Sequence, residues 1–364
     1  MRRVILALLL LAACGGPPPE RATPRAVTTR SAELAPPSAR TDEAPFTIEQ
    51  PTIDPSCAEH AASGALQGPS AELVHGSDAG LVFRTRATIP GQEGHHLPAA
   101  MYCYYLSARP GAAPRPVFSI AERNPPAVAG VVRESVVLVE TGGEVRLARA
   151  DGSVRRFRGE LDGELAMPVG VYEDGVLLQR VQLNEPAPLT FVPWSETGLA
   201  LARRVEVASA AQAPMLREPV CRAGDRLVWA TDALHVFDLA TRALRSHPIG
   251  APSRLAACDD ELAVLRGGVV GGQLAQPAFV IATGAALPAR LSGDAIAVRH
   301  RYAYVVEAAP TSIVSYDLRR YDLEADGAVE RAQSGLPSGR AIALSDALYF
   351  VDGAELRRVE WATR

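Results

Sequence analysis

Residues Gly224–Ser246 read Gly-Asp-Arg-Leu-Val-Trp-Ala-Thr-Asp-Ala-Leu-His-Val-Phe-Asp-Leu-Ala-Thr-Arg-Ala-Leu-Arg-Ser. Three short apolar runs, Leu227–Ala230, Leu234–Leu239 and Ala243–Leu244, are parted by acidic or small residues. Runs this short, punctuated by Gly, Asp and Thr, predict the strands of an antiparallel meander rather than helices.

Looser copies of the same frame run through the chain. A small or apolar strand is followed by an acidic turn and then by a strongly apolar strand. Examples are Val128–Val132, Arg133-Glu134, Ser135–Val139, and Val169–Tyr172, Glu173-Asp174-Gly175, Val176–Leu178. Leu255–Cys258, Asp259-Asp260, Glu261–Leu265 follows it, as do Ala341–Leu344, Ser345-Asp346, Ala347–Val351 and Pro219–Ala223, Gly224-Asp225, Arg226–Ala230. The units recur every ~40–50 residues, the spacing of propeller blades. The reading is an all-β chain: a β-propeller of seven blades of four-stranded antiparallel sheets, with six or eight as the neighbouring counts and a pair of β-sandwiches as the competing fold. Blades are expected at 71–121, 126–162, 165–208, 215–250, 252–292, 293–336 and, three-stranded, 337–364. In a closed ring the first strand lines a crowded axis and takes small residues. The second lies between blades and is apolar on both faces. The run Phe46–Gln50 is expected to supply the missing strand of the last unit. The best helix candidate is Ala58–Leu66.

Val-Phe-Asp-Leu-Ala-Thr (Val236–Thr241), echoed by Ser315-Tyr316-Asp317-Leu318, resembles the strand-turn of bacterial PQQ-like and YVTN-like propellers. The glycine that follows Thr in that family is Arg242 here. The family's tryptophan docking motif does not recur, so the resemblance implies the fold and no bound quinone or other cofactor.

The 364 residues carry a formal net charge of −4, too near neutral to expect a nucleic-acid partner. All 37 basic residues are arginine, and Ala, Gly and Pro are abundant, so arginine clusters are read first as composition. Arg2 and Arg3 precede an apolar run, Val4–Leu11, too short to span a bilayer. Leu11-Ala12-Ala13-Cys14-Gly15 then resembles the lipobox of bacterial lipoproteins. That resemblance implies cleavage before Cys14, acylation of its thiol, and a lipid-anchored envelope protein. Gly15, in place of Asp, implies the outer membrane in a Gram-negative cell, facing the periplasm or the surface. The expected organisation is a signal peptide over 1–13, a lipidated Cys14 with a disordered Pro/Ala-rich tether over 14–44, and the propeller over 45–364. Export into an oxidising compartment makes Cys57, Cys103, Cys221 and Cys258 disulfide candidates. Proximity along the chain favours Cys57–Cys103 and Cys221–Cys258; buried thiols are the other reading.

No catalytic, cofactor or metal residue is assigned. Glu93, His95 and His96 form the one histidine-rich cluster, read as a solvated loop. Gly267–Gly272 imitates a nucleotide fingerprint but has no helix after it, so it is read as a hairpin. Ser334–Gly339 lacks the context of a nucleophile elbow. The acids of the recurring turns are explained by turn chemistry. The doublets Arg155-Arg156, Arg319-Arg320 and Arg357-Arg358 are expected to be solvated, and Met101–Tyr105 a strand with both faces occupied. The function expected is a non-enzymatic envelope platform binding other envelope proteins or a ligand. The alternative is an envelope hydrolase or lyase with acids or histidines in the propeller channel.

Overall fold

The computed structural model describes residues 44–362, leaving out 63–70, 90–99, 141, 182–186, 216–217, 250–251, 267–268, 271–272, 275, 309–314, 326–328, 337–340 and 353–354. It is a seven-bladed β-propeller. From the axis outward, blade 1 is Ala71–Ser77, Gly80–Thr88, Ala100–Ser107 and Arg115–Glu122. Blade 2 is Ala127–Val132, Ser135–Val139, Glu144–Arg149 and Val154–Arg158, and blade 3 is Glu164–Tyr172, Gly175–Arg180, Leu189–Pro193 and Val205–Ala208. Blade 4 is Cys221–Ala223, Arg226–Ala230, Ala233–Asp238 and Ala243–Pro248; blade 5 is Arg254–Cys258, Leu262–Arg266, Gln276–Val280 and Ala286–Leu291. Blade 6 is Asp294–Arg299, Tyr302–Ala308, Tyr316–Asp322 and Val329–Leu336, and blade 7 is Ala341–Ala343, Ala347–Asp352 and Glu355–Glu360.

The second strand of each blade is the apolar one because it is sandwiched. Val136–Leu138, Val176–Leu178, Leu227–Trp229 and Ala263–Leu265 are almost wholly buried. Their side chains alternate between two seams, so each blade contributes to the core on either side of it. Val136 and Leu138 face blade 1, for example, while Val137 faces blade 3. A separate apolar cluster fills every seam around the ring, including the one between blades 7 and 1. Each fully buried Leu, Val or Phe contributes about 1.5–3 kcal/mol, so no blade is stable without both neighbours.

The innermost strands share a device that sequence reading does not reveal. A bulge interrupts the register at Val74, Ala129, Val169, Ala256 and Ile296. A bulge adds twist and bends a strand, which is what a strand crossing close to a crowded axis requires.

Three expectations need correction. Thr47–Glu49 does not complete blade 7; it pairs with Val154–Arg156 as a fifth strand on the rim of blade 2. Glu49 meets Arg156 there at 3.1 Å, and the Phe46 ring packs on Phe157 and Trp194. The outer edge of blade 7 instead exposes Arg357, Arg358 and Glu360, charges that tolerate an unpaired edge. The ring closes through side chains: Leu73 and Leu81 pack on Leu344, Ala347 and Tyr349, and Ser345 N–H donates to Asp78 Oδ1 at 2.7 Å. Second, the mostly apolar run Leu199–Val207, whose pattern predicts a single strand, is not one. It comprises Gly198–Leu199, a 3-10 turn at Leu201–Arg203, and Val205–Ala208. Third, the blade 5 turn falls at Asp260-Glu261, one residue later than expected, since Asp259 N–H still pairs with Leu262 O. The helix spans Pro55–Ala62. Val269–Val270 pairs antiparallel with Gln273–Leu274, while the glycines of Gly267–Gly272 lie outside the described residues.

Both disulfides join the expected partners. Cys57–Cys103 fastens the helix to blade 1, with Cα atoms 5.6 Å apart. Cys221–Cys258 joins the innermost strands of blades 4 and 5, with Cα atoms 6.4 Å apart.

Candidate functional site

A small cavity lies at the end of the seam between blades 2 and 3. The register of blade 2 builds half of it. Ser135 is opposite Arg149, and Leu147 is opposite both Val137 and Arg155. Directly opposed residues, and residues two apart on a strand, share a face. Ser135, Leu147, Arg149 and Arg155 therefore stand on the same face as Val137 and Phe157, the face packed on blade 3. Arg133 joins them from the hairpin turn, where Arg133 and Glu134 take φ of 47° and 61°. Two successive left-handed residues make the tight turn whose twist matches the flanking strands.

Blade 3 and the N-terminal segment supply the other wall. Trp194 is buried and held in place by its indole N–H, which donates to Tyr172 O at 2.9 Å. Ser195 follows it, its Oγ accepting the Gly198 N–H at 2.8 Å. Phe46 closes the side: its N–H donates to Thr197 O at 2.8 Å, and its ring lies 6.4 Å from Trp194 and 5.7 Å from Phe157. The Arg155 guanidinium stacks 5.7 Å above Phe46. The cavity so formed encloses about 50 Å³.

Its electrostatics are one-sided. Three guanidinium groups line it, with Val132, Leu147, Phe46 and Trp194, and no carboxylate does. Among the described residues none of the three forms an ion pair. The acids nearby in sequence are Glu134, Asp151 and Glu196. The Asp151 carboxylate accepts the Ser153 N–H and hydroxyl at 2.8 and 2.6 Å; these bonds chiefly, and the Arg149 charge to a lesser degree, hold its pKa below the ordinary value, without an ion-pair contact. Glu196 meets Arg155 only through its backbone carbonyl, at 3.5 Å. Arg156, on the opposite face, is bound by Glu49 and Glu144. The expected solvated doublet is thus split by strand alternation, one member neutralised and one turned toward the cavity. The other doublets also make ion pairs: Arg319 with Glu307, Arg320 with Glu330, and Arg358 with Glu360 and Asp346.

The bulge positions of five innermost strands, Val74, Ala129, Val169, Ala256 and Ile296, are all small or apolar and pack against the seam clusters. The turn acids tie blades together. Asp174 pairs with Arg222 of the next blade at 3.1 Å, and Asp78 receives Ser345. Burial pushes the Asp259 carboxyl up, against the backbone N–H groups of Glu261 and Leu262 that it accepts.

The buried His235 is an internal tie of blade 4. It stacks on Trp229 at 5.2 Å and lies between Ser246 Oγ at 2.9 Å and Thr231 Oγ1 at 2.8 Å. Thr231 donates onward to Asp232, so Nε2 donates to Thr231. Burial lowers its basicity, and in the neutral ring that this favours Nδ1 accepts from Ser246. In Met101–Tyr105 the Tyr104 hydroxyl donates to Pro126 O at 2.8 Å, and burial pushes its pKa up to about 12. Tyr105 packs on the Cys57–Cys103 bridge, so this run is core. Cys14, Glu93, His95 and His96 lie outside the described residues. Among the described residues no three His, Cys, Asp or Glu side chains converge as metal ligands.

No protein-family model matches the chain, and no curated protein matches it. Solved structures similar to it include BamB from Moraxella catarrhalis, 12% identical over 78% of this chain and 82% of that one, with a TM-score of 0.43. The mitotic checkpoint complex contains a chain 11% identical over 98% of this chain and 100% of that one, with a TM-score of 0.49. The β-propeller domain of the Trilobed protease from Pyrococcus furiosus is 10% identical over 79% and 97%, with a TM-score of 0.46. None of these likenesses carries an argument about function; the fold rests on the seven sheets and the apolar seams between them.

Proposed function

We propose that this chain is an envelope lipoprotein whose propeller is a non-enzymatic platform for other envelope proteins. Residues 1–13 are removed, Cys14 is acylated, and residues 14–44 tether the ring to the membrane, the outer one where the cell has two. The observation that carries this reading is where the tether joins. Ala44–Pro45 pairs with Gly198–Leu199, and Thr47–Glu49 with the outermost strand of blade 2. The chain therefore enters on the rim between blades 2 and 3, away from the axis. A Pro-rich tether of that length spans up to ~90 Å at about 3.1 Å per residue, enough to present the ring to partners at a distance from the bilayer.

The alternative, a hydrolase or lyase working in the channel, requires clustered acids, histidines or arginines there. The turn acids Asp174 and Asp78 are instead engaged in holding neighbouring blades together, through Arg222 and the Ser345 N–H, and give it no support. Two measurements test the proposal. Cys14→Ala should move the protein from the membrane fraction to the soluble one; unchanged fractionation overturns the anchor. Cross-linking and recovery from envelope extract should yield a defined protein partner, and repeated recovery of none overturns the platform.

A further inference from the structure

We infer that the cavity between blades 2 and 3 is a binding site for a carboxylate on a short apolar stem, presented by a polypeptide partner. This rests on the platform reading and names the chemistry of its contact. The lining supplies both halves of the recognition. Arg133, Arg149 and Arg155 line it and none of them forms an ion pair among the described residues, in a chain whose formal net charge is −4. Arginine is the only basic residue the chain uses, so an arginine cluster by itself says little. Arg149 acts on Asp151 only from a distance, lowering its pKa behind the two Ser153 hydrogen bonds, whereas Arg146, Arg156 and Arg158 of the same blade are all in contact with a carboxylate.

The walls narrow the ligand further. Val132, Leu147, Phe46 and the buried Trp194 offer apolar surface to methylene groups below the guanidinium rim. A planar guanidinium fork matches a planar carboxylate through two parallel N–H donors, and the apolar surroundings strengthen that contact. The enclosed space, about 50 Å³, fits the end of one acidic side chain and not a whole drug-sized ligand. Its supports are rigid. Two walls are strand residues, Trp194 is fixed by a hydrogen bond, and Phe46 is held by the rim strands. A polypeptide is the fitting source, because a single acidic side chain can enter while its backbone stays outside.

The test uses the full chain purified in detergent. Four probes are compared by displacement and by tryptophan fluorescence, since Trp194 lines the site. They are an end-blocked heptapeptide Ser-Gly-Leu-Glu-Leu-Gly-Ser, its counterpart with Gln for Glu, glutarate alone, and soluble dihexanoyl phosphatidylglycerol. The Glu peptide is expected to bind, more weakly as salt rises, and at least about tenfold more tightly than the Gln peptide, the value of one charge-assisted contact. Arg149→Gln should weaken it by about tenfold with an unchanged melting temperature. Should that variant unfold, Arg133→Asn keeps the left-handed turn and carries the same expectation. Equal binding of the two peptides, no binding at millimolar peptide, or insensitivity to both substitutions overturns the site. Glutarate as tight as the peptide, or tighter phosphatidylglycerol, overturns the polypeptide source. Loss of peptide binding alongside recovery of a partner from envelope extract refutes the site and leaves the platform standing.

Discussion

Phe46 and Trp194 face each other across the rim between blades 2 and 3, their ring centroids 6.4 Å apart, and Phe157 completes the aromatic group at 5.7 Å from Phe46. Phe46 is thus the peg that fastens the end of the N-terminal segment to the ring. Its neighbour Ile48 is 68% exposed and adds little. Phe46→Ala should cost about 1–2 kcal/mol, less than a fully buried aromatic, because Phe46 is only half-buried. Hydrogen exchange should then accelerate at Thr47–Glu49 while the blade 4 strands keep their protection. Unchanged exchange at Thr47–Glu49 would show that the backbone pairing holds the segment without the ring.

The Cys221–Cys258 bridge closes a loop of 37 residues between the innermost strands of adjacent blades. Loop-closure entropy puts its value at about 3–4 kcal/mol. The double variant Cys221→Ser, Cys258→Ser should unfold at lower denaturant than the parent, and the parent plus reductant, which also opens Cys57–Cys103, at lower denaturant still. A variant as stable as the oxidised parent would mean that packing between blades 4 and 5 sets the stability of this seam alone.

Gly76 lies where the ring closes. A Cβ there would collide with the Ile342 side chain of blade 7 and crowd Leu81. Gly76→Val should therefore destabilise by about 1–3 kcal/mol through overpacking, with Gly76→Ala intermediate. Exchange should rise first in Ala347–Asp352, because among the described residues blade 7 has three strands and the other blades at least four. A uniform loss of protection would show that the ring opens as one unit.

The fold was legible where composition and turn chemistry agreed. Acidic turns marked blades 2, 3, 4, 5 and 7, and blade 1 has another at Asp78-Ala79, but the same turn in blade 6 is His300-Arg301. What the turn needs is backbone freedom, and His300 meets it with φ of 57° without any acid. The outer strand Val329–Leu336 reads Val-Glu-Arg-Ala-Gln-Ser-Gly-Leu and carries no apolar run, since it faces solvent. The fate of Thr47–Glu49 was illegible for another reason. Its destination depends on Phe157 and Trp194, two aromatics that only the folded ring brings together. The cavity was hidden similarly, its lining coming from three separated segments. One clue was present: in Arg155-Arg156-Phe157, alternation alone puts Arg155 on the face of the buried Phe157.

Two of the histidines, His75 and His235, predict a pH dependence. Burial lowers the basicity of His75 and His235 below the ordinary value of 6.5, with Asp232 opposing the shift at His235. The unfolded chain therefore binds protons at a higher pH than the folded one. Stability is fully present above about pH 6.5 and is lost as pH falls below it. Denaturation midpoints measured from pH 8 down to about pH 5 should decline, and His75→Gln should flatten the decline. Asp259, raised by burial, acts in the opposite sense and in the carboxylate range, so it leaves this window largely untouched. A flat profile in the parent would refute the burial argument.

Arg242 gives the most direct link from sequence to energy. It stands where the PQQ-like and YVTN-like strand-turn has glycine, and it adopts φ of 58°. The turn is fixed around it: Thr241 N–H donates to Asp238 Oδ1 at 2.7 Å, and Asp238 pairs with Ala243 across the hairpin. A non-glycine residue in this left-handed region costs about 1–2 kcal/mol, of which glycine returns part through the larger entropy of its unfolded chain. The Arg242 side chain is exposed and forms no ion pair among the described residues. Arg242→Gly should therefore stabilise the protein by about 0.5–1 kcal/mol, and Arg242→Asn by less. The measurement is the denaturant midpoint at constant slope. A destabilised Gly variant would mean that the arginine side chain contributes more at this hairpin than its backbone strain costs.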